Sequence, residues 1–299
     1  MCRLEARGSR LEAVRPSHCL ERPFVSSAST LDGMTMEEAR PSLMSLHPGV
    51  VYGPVRSRRL GRSLGVNVLP PDAKLCTFNC LYCQYGWTRS VRRSDAAPVA
   101  WPSPPEVTRA VSSALDELDR LGTAVDRITL AGHGEPTLHP AFPEIVDALR
   151  DLRSARAPGT AVAVLSNSTT ASEPRIQEAL SRLDERYMKL DAGDQDTLRH
   201  VNACAVSIDS LIASLRALPD VVIQTMFVSD ETGRIGNTSE RAVAAWLDAL
   251  KAIGPEGVHI YTLDRAPAWP GFRPVAPGFL EDVARRVREA GLRPLVFTR

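Results

Sequence analysis

Between Ser63 and Phe297 the chain alternates short apolar runs with longer stretches of helical periodicity, and this alternation limits the fold more than any other feature. "SLGVNVL", "DRITLAG", "TAVAVLSN", "RYMKLDAG", "VVIQTMFVS", "EGVHIYTLDR" and "RPLVF" read as strands. Between them, "PPEVTRAVSSALDELDRLG" stops at Gly122, "SEPRIQEALSRL" has Pro174 in its first turn, and "SERAVAAWLDALKAIG" stops at Gly254. "AFPEIVDALRDLR", "VSIDSLIASLRAL" and "GFLEDVARRVREAG" complete the helices. About six strand–helix units in succession require parallel strands joined by right-handed crossovers. The expected class is α/β, a partial (β/α)6 TIM-like barrel of parallel strands with outer helices. A doubly wound open sheet is the alternative. In either fold, active groups collect beyond the carboxyl ends of the strands.

Residues 1–47 show no sustained period and are rich in Ser, Arg, Pro and Glu, as expected of a disordered or loosely attached arm; residues 48–299 form the folded domain. The formal net charge of +1 gives no global argument for a polyanionic partner. No run of about 18 uncharged apolar residues suggests a membrane span, and the first thirty residues lack the apolar block of a secretion signal. The expected setting is the cytoplasm, where thiols stay reduced and clustered cysteines bind metal more often than they pair.

Three of the six cysteines lie in "KLCTFNCLYCQYGW", after the first strand: Cys76, Cys80 and Cys83, spaced C-x3-C-x2-C. Three thiolates on one loop suit three irons of a cubane cluster and leave the fourth iron open. A zinc site completed by His133, His139 or Cys204 is the competing reading.

"CTFNCLYC" resembles the signature of radical S-adenosylmethionine (SAM) enzymes, with Tyr82 in the aromatic position. The resemblance implies a [4Fe-4S] cluster on Cys76, Cys80 and Cys83, and SAM, S-adenosyl-L-methionine, chelated by the open iron. It also implies a one-electron reductant such as flavodoxin or ferredoxin. Reductive cleavage would give methionine and a 5'-deoxyadenosyl radical that takes hydrogen from a substrate, with Tyr82 near the adenine. "HGEPTLHP" is similar to the family's Gly-Gly-Glu-Pro segment, which implies that Gly134, Glu135 and Pro136 bind the methionine amino group; His133 replaces the first glycine. Ser166 and Asn167, with Ser168, form a polar strand end that either caps a helix or meets the ribose or carboxylate of SAM. Lys189 and Asp191 lie two apart, so on a strand they face one side, toward a polar cavity, where strand ends of this family meet SAM or substrate.

Arg56, Arg58, Arg59 and Arg62 precede the first strand, and Arg89, Arg92 and Arg93 follow the cysteine loop. They form either a solvated basic face or a contact for phosphate, carboxylate or RNA. Residues 50–265 look like the subgroup related to wyosine-type tRNA-modifying radical SAM enzymes, which makes RNA one candidate substrate. A small molecule or a peptide is the other. With Cys2 and Cys19 in the arm and Cys204 far away, a second cluster has little support. Lys74 and Lys189 are candidate amine participants. Asp264 and Arg265 stand at a strand end, and the Pro-rich loop with Trp269 and Phe272 either covers the site or is plain surface. An iron–sulfur electron-transfer or sensor protein and a zinc-bearing RNA-binding module are the competing functions.

Overall fold

A computed structural model describes residues 43–88 and 100–298. The sheet begins with a hairpin, β1 (Val51–Ser57) and β2 (Gly61–Val66), paired antiparallel. Then follow α1 (Pro104–Arg120), β3 (Arg127–Leu130), α2 (Phe142–Arg156), β4 (Ala161–Ser166), α3 (Pro174–Ser181) and β5 (Glu185–Lys189). After two short helices, α4 (Gln195–Asn202) and α5 (Ile208–Arg216), come β6 (Val221–Asp230), α6 (Glu240–Ile253) and β7 (Gly257–Thr262). The chain closes with β8 (Phe272–Pro274), α7 (Pro277–Glu289) and β9 (Pro294–Phe297).

Strand order is β1-β2-β3-β4-β5-β6-β7-β9, parallel from β2 onward, with β8 paired antiparallel to the end of β6. Each crossover moves one place in the same direction, so the sheet has no topological switch point. That rules out the doubly wound alternative. The curled half-barrel with outer helices is the architecture read from the alternation.

The helices cover the outer face. Val107, Val111, Ile145, Leu149, Leu250 and Leu280 meet Ile128, Leu130, Val164 and Met188 in one core. Side chains alternate along each strand: Met188 is fully buried toward the helices, while Lys189 lines a cavity inside the curl.

Three elements lie outside the predicted set. β1 precedes the first parallel strand, and β8 pairs Phe272 with Asp230 inside the Pro-rich loop. Helix α4 is short and polar, capped by Asp194, whose carboxylate accepts from Asp196 N and Thr197 N at 3.1 and 3.0 Å. Most of the expected arm lies outside the described residues, but its last part is attached to the body: Met44 N donates to Gln84 O at 2.8 Å, and the His47 ring stacks on Tyr52. Cys2, Cys19, Arg89, Arg92 and Arg93 also lie outside the described residues.

Candidate active site at the cysteine loop

The cysteine loop leaves the carboxyl end of β2 and packs across the carboxyl ends of β3, β4 and β5. Its entry is fixed by backbone. Glu135 N donates to Leu75 O at 2.8 Å, and a Cβ on Gly134 would stand 1.8 Å from that same carbonyl. Gly134 is therefore required where the β3 end touches the residue before Cys76. The close neighbour seen at Gly134 is the chain itself. Lys74, buried at the start of the loop, donates from Nζ to Gly86 O at 2.5 Å and clamps the two ends together.

Two carboxamides bond the thiols. Asn167 Nδ2 donates to Cys76 Sγ at 3.4 Å and to Thr77 Oγ1 at 2.8 Å. Asn202 Nδ2 reaches Cys80 Sγ at 3.3 Å. Asn202 belongs to the unpredicted α4 and so was missed; the Asp194 cap was its sequence signal. Its Oδ1 is buried and has no hydrogen-bond partner among the described residues, so it suits a donor from outside the chain.

The site holds these groups as neutral thiols and disfavours isolated thiolates. Burial, and next the charge of Glu135, push Cys76 up to about 12. Burial and then its neighbours Cys76 and Cys83 push Cys80 up further. A bound cation would relieve both effects. Among the described residues, no three His, Cys, Asp or Glu side chains gather closely enough to hold one metal ion. The fourth ligands of the zinc reading are also engaged elsewhere. His133 bonds Pro70 O and His47 N, His139 bonds Pro102 O and Ala141 N, and Cys204 is in the core. Three thiols on one loop, each partly exposed and bonded or facing a cavity, fit a cubane whose irons are spread apart.

A cavity of about 510 Å³ runs from Cys76 and Cys83 into the curl of the sheet, past Tyr82 and Gly134 to Lys189 and Tyr261. Of the predicted site residues, Cys76, Tyr82, Cys83, Gly134 and Lys189 line it, and Cys80, Glu135, Pro136, Ser166, Asn167 and Asp191 do not. Glu135 is 1% exposed; its carboxylate accepts from Thr137 N and Oγ1 at 3.1 and 2.6 Å and from Asn167 N at 2.5 Å. It thus ties the β3 end to the β4 end, and burial raises its affinity for a proton. Pro136 is buried as the first residue of a 3₁₀ turn. Ser166 Oγ accepts from Ser168 N at 3.0 Å. The helix-cap alternative for this segment does not apply, since α3 is capped at Glu173.

Lys189 and Asp191 form an ion pair at 3.1 Å. Asp191 is buried and also accepts from Tyr82 OH at 2.5 Å, Asn202 Nδ2 at 2.8 Å and Met226 N at 2.8 Å. Lys189 donates to Tyr261 OH at 2.9 Å. Burial pulls the Lys189 ammonium toward neutrality, but Asp191 and then Tyr261 outweigh it and hold it charged. The Pro-rich loop does pack on the cysteine loop: Trp269 N donates to Leu81 O at 2.7 Å, and Phe272 shares a small core with Tyr82.

The chain has relatives among known proteins. The family model described as Radical SAM superfamily matches residues 73–273. UPF0026 proteins of Helicobacter pylori strain J99 and Synechocystis are each 30% identical, over 72% and 70% of this chain and 67% and 74% of theirs. A radical SAM methyltransferase from Sphaerobacter thermophilus superposes with a TM-score of 0.58 at 17% identity, covering 79% of this chain and 66% of that one. TYW1 with a lysine-pyruvate adduct bound superposes at 0.53 and 17%, covering 77% and 75%. SuiB of Streptococcus suis bound to S-adenosylmethionine gives 0.56 and 12%, covering 79% and 50%. Likeness at these identities is likeness of fold.

Proposed function

For a chain that belongs to the radical SAM superfamily and to the UPF0026 proteins, we propose hydrogen abstraction from a substrate lodged inside the half-barrel, with Cys76, Cys80 and Cys83 as the cluster ligands. The family uses a [4Fe-4S] cluster and SAM, which together supply one-electron cleavage of SAM to a 5'-deoxyadenosyl radical, and it needs a reductant. One observation carries the reading: the cysteine loop opens at the carboxyl pole onto a cavity that continues to Lys189 and Tyr261.

The remaining roles follow from position. Asn167 and Asn202 orient the thiols and offset their charge by N–H donation. Tyr82 and Lys189 line the cavity that would hold the cofactor, and Asn202 Oδ1 stands buried beside Cys80 as an unused acceptor. Glu135, Ser166 and Asp191 act as positioning residues, because their polar atoms are spent on strand ends and on Tyr82. Gly134 and Pro136 shape the approach. Among the described residues no helix is long and apolar enough to cross a membrane, and the free thiols fit a reducing cytoplasm.

A polyanionic substrate such as RNA is a second reading, favoured by one feature. An open groove of about 540 Å³ is lined by Arg56, Arg58 and Arg62 against one carboxylate, Asp126. The test of the first reading is release of 5'-deoxyadenosine from anaerobically reconstituted protein given dithionite and SAM. Release is expected from the native chain and none from Cys76→Ala/Cys80→Ala/Cys83→Ala. Equal release from both would defeat the proposal.

A further inference from the structure

The charge inside the cavity is unexplained by the cofactors. Its walls carry Arg56, Arg58, Arg59, Lys74, Lys189 and Arg265 against a single carboxylate, Asp264. Two of these cations are neutralised: Arg58 by Asp264 at 3.0 Å and Lys189 by Asp191 at 3.1 Å. Lys74 is spent on the cysteine loop. Arg56, Arg59 and Arg265 have no carboxylate partner among the described residues. SAM brings a net positive charge, and a cubane on three thiolates brings a small negative one. The pair supplies at most one free carboxylate, that of SAM, for three guanidiniums.

Two of these guanidiniums, the half-buried Arg59 and the exposed Arg265, are held in place while most of their donors stay free. Arg59 comes from the β1–β2 turn, lays its plane 4.1 Å from the centre of the Tyr261 ring and gives one N–H to Gln224 Oε1 at 3.1 Å. A guanidinium has five donors, so four remain. Arg265 follows β7, touches Met44 Sδ and donates to Gln84 Oε1 at 3.2 Å, next to Cys83. Both are fixed by neutral partners, which orient a guanidinium without consuming its charge. Their field is felt nearby. His259 is held down to about 4 by burial first and Arg59 next, and His47 is lowered by burial, His133 and Arg265. Oriented, uncompensated arginines are the usual means of binding a planar oxyanion in two-pronged fashion.

We propose that the substrate carries a carboxylate or phosphate group bound by Arg59 and Arg265, with Arg56 at the rim. The group anchors a small organic molecule inside the same cavity that Cys76 and Cys83 line. A cavity of about 510 Å³ is of small-molecule size. A nucleic acid would meet the open groove instead, where Arg62 replaces Arg59 and Arg265 in the lining. The inference rests on the radical SAM reading of the same cavity.

The test uses the full chain, reconstituted anaerobically with its cluster and saturated with SAM. Its melting temperature is followed against inorganic phosphate, malonate or sodium chloride of equal ionic strength. A saturable rise with phosphate or malonate, absent with chloride, is expected; the better of the two identifies the anionic group. Arg59→Gln and Arg265→Gln should each weaken half-saturation by about tenfold, equivalent to about 1.4 kcal/mol. Arg62→Gln, outside the cavity, should change it by less than about twofold. Should Arg59→Gln fail to fold, Arg265→Gln carries the comparison. No saturable response to either anion overturns the proposal, as does equal weakening by Arg62→Gln. Tighter binding of a short oligoribonucleotide that depends on Arg62 and not on Arg59 also overturns it, in favour of RNA. Deoxyadenosine release is measured on the same preparation. Release without an anion response defeats this inference alone, whereas an anion response without release defeats the catalytic reading alone.

Discussion

Met188 and Lys189 are neighbours on β5, yet they belong to different chemistries. Met188 points outward, fully buried among the helices with Ile128, Leu130 and Val164. Lys189 points inward, where Asp191, Tyr82 and Tyr261 surround its ammonium. The same alternation recurs on β6, where Ile223 meets the helices and Gln224 reaches Arg59. The outer wall gains its stability from area removed from water and tolerates any apolar side chain of suitable size. The inner wall gains little that way; its polar groups must each find a named partner. A half-barrel thus separates folding from chemistry residue by residue, along a single strand.

The sharpest way to break that separation is at the point where the two walls meet the cysteine loop. Gly134→Ala should cost more than about 4 kcal/mol, because its methyl collides with a backbone carbonyl that cannot move aside. Melting temperature and iron content should fall together. Met188→Ala should come next, at about 3 kcal/mol in denaturant unfolding. Since it empties only the outer wall, the SAM affinity of the folded fraction should be unchanged.

A pH titration of stability probes the inner wall. His259 is 6% exposed, and its imidazole, ordinarily titrating at 6.5, is lowered to about 4 by burial and then by Arg59 and Arg127. The folded state binds fewer protons than the unfolded one between these values, so stability should rise as pH rises from about 4 to 6.5, by up to about 3 kcal/mol. In His259→Asn that part of the rise should vanish. The smallest effect is expected at Asn202→Ala, which removes the donor to Cys80 and the free acceptor beside it. SAM affinity should fall by about 1 kcal/mol, or roughly fivefold, with cluster content retained.

The outer wall was legible because its signal is periodic. Six strand–helix units declared themselves through apolar spacing, and Gly122 and Gly254 marked the ends of α1 and α6. The two missed short elements carried too few apolar residues to show it: in α4 only Leu198 and Val201 are apolar. Helix α4 spans only Gln195–Asn202, and β8 only Phe272–Pro274, so neither rose above the loop around it. On the inner wall, the cysteines were legible from spacing alone, and the common side of Lys189 and Asp191 from their separation by two. Asn202, Tyr261 and the cavity side of Arg59 were not. Their partners are distant in sequence, and only closure of the curl brings them together. Glu135 shows a further limit. Its presence at the strand end could be read, but the three donors that occupy its carboxylate could not.

The central claim is that three thiols at the mouth of the half-barrel seat a cluster with one corner open to SAM. Electron paramagnetic resonance of the dithionite-reduced, reconstituted full chain tests it most directly. Adding SAM should change the g-values of the cluster signal, and Cys76→Ala/Cys80→Ala/Cys83→Ala should show no signal at all. A cluster signal that SAM leaves unaltered, or one that survives loss of all three thiols, would contradict the account.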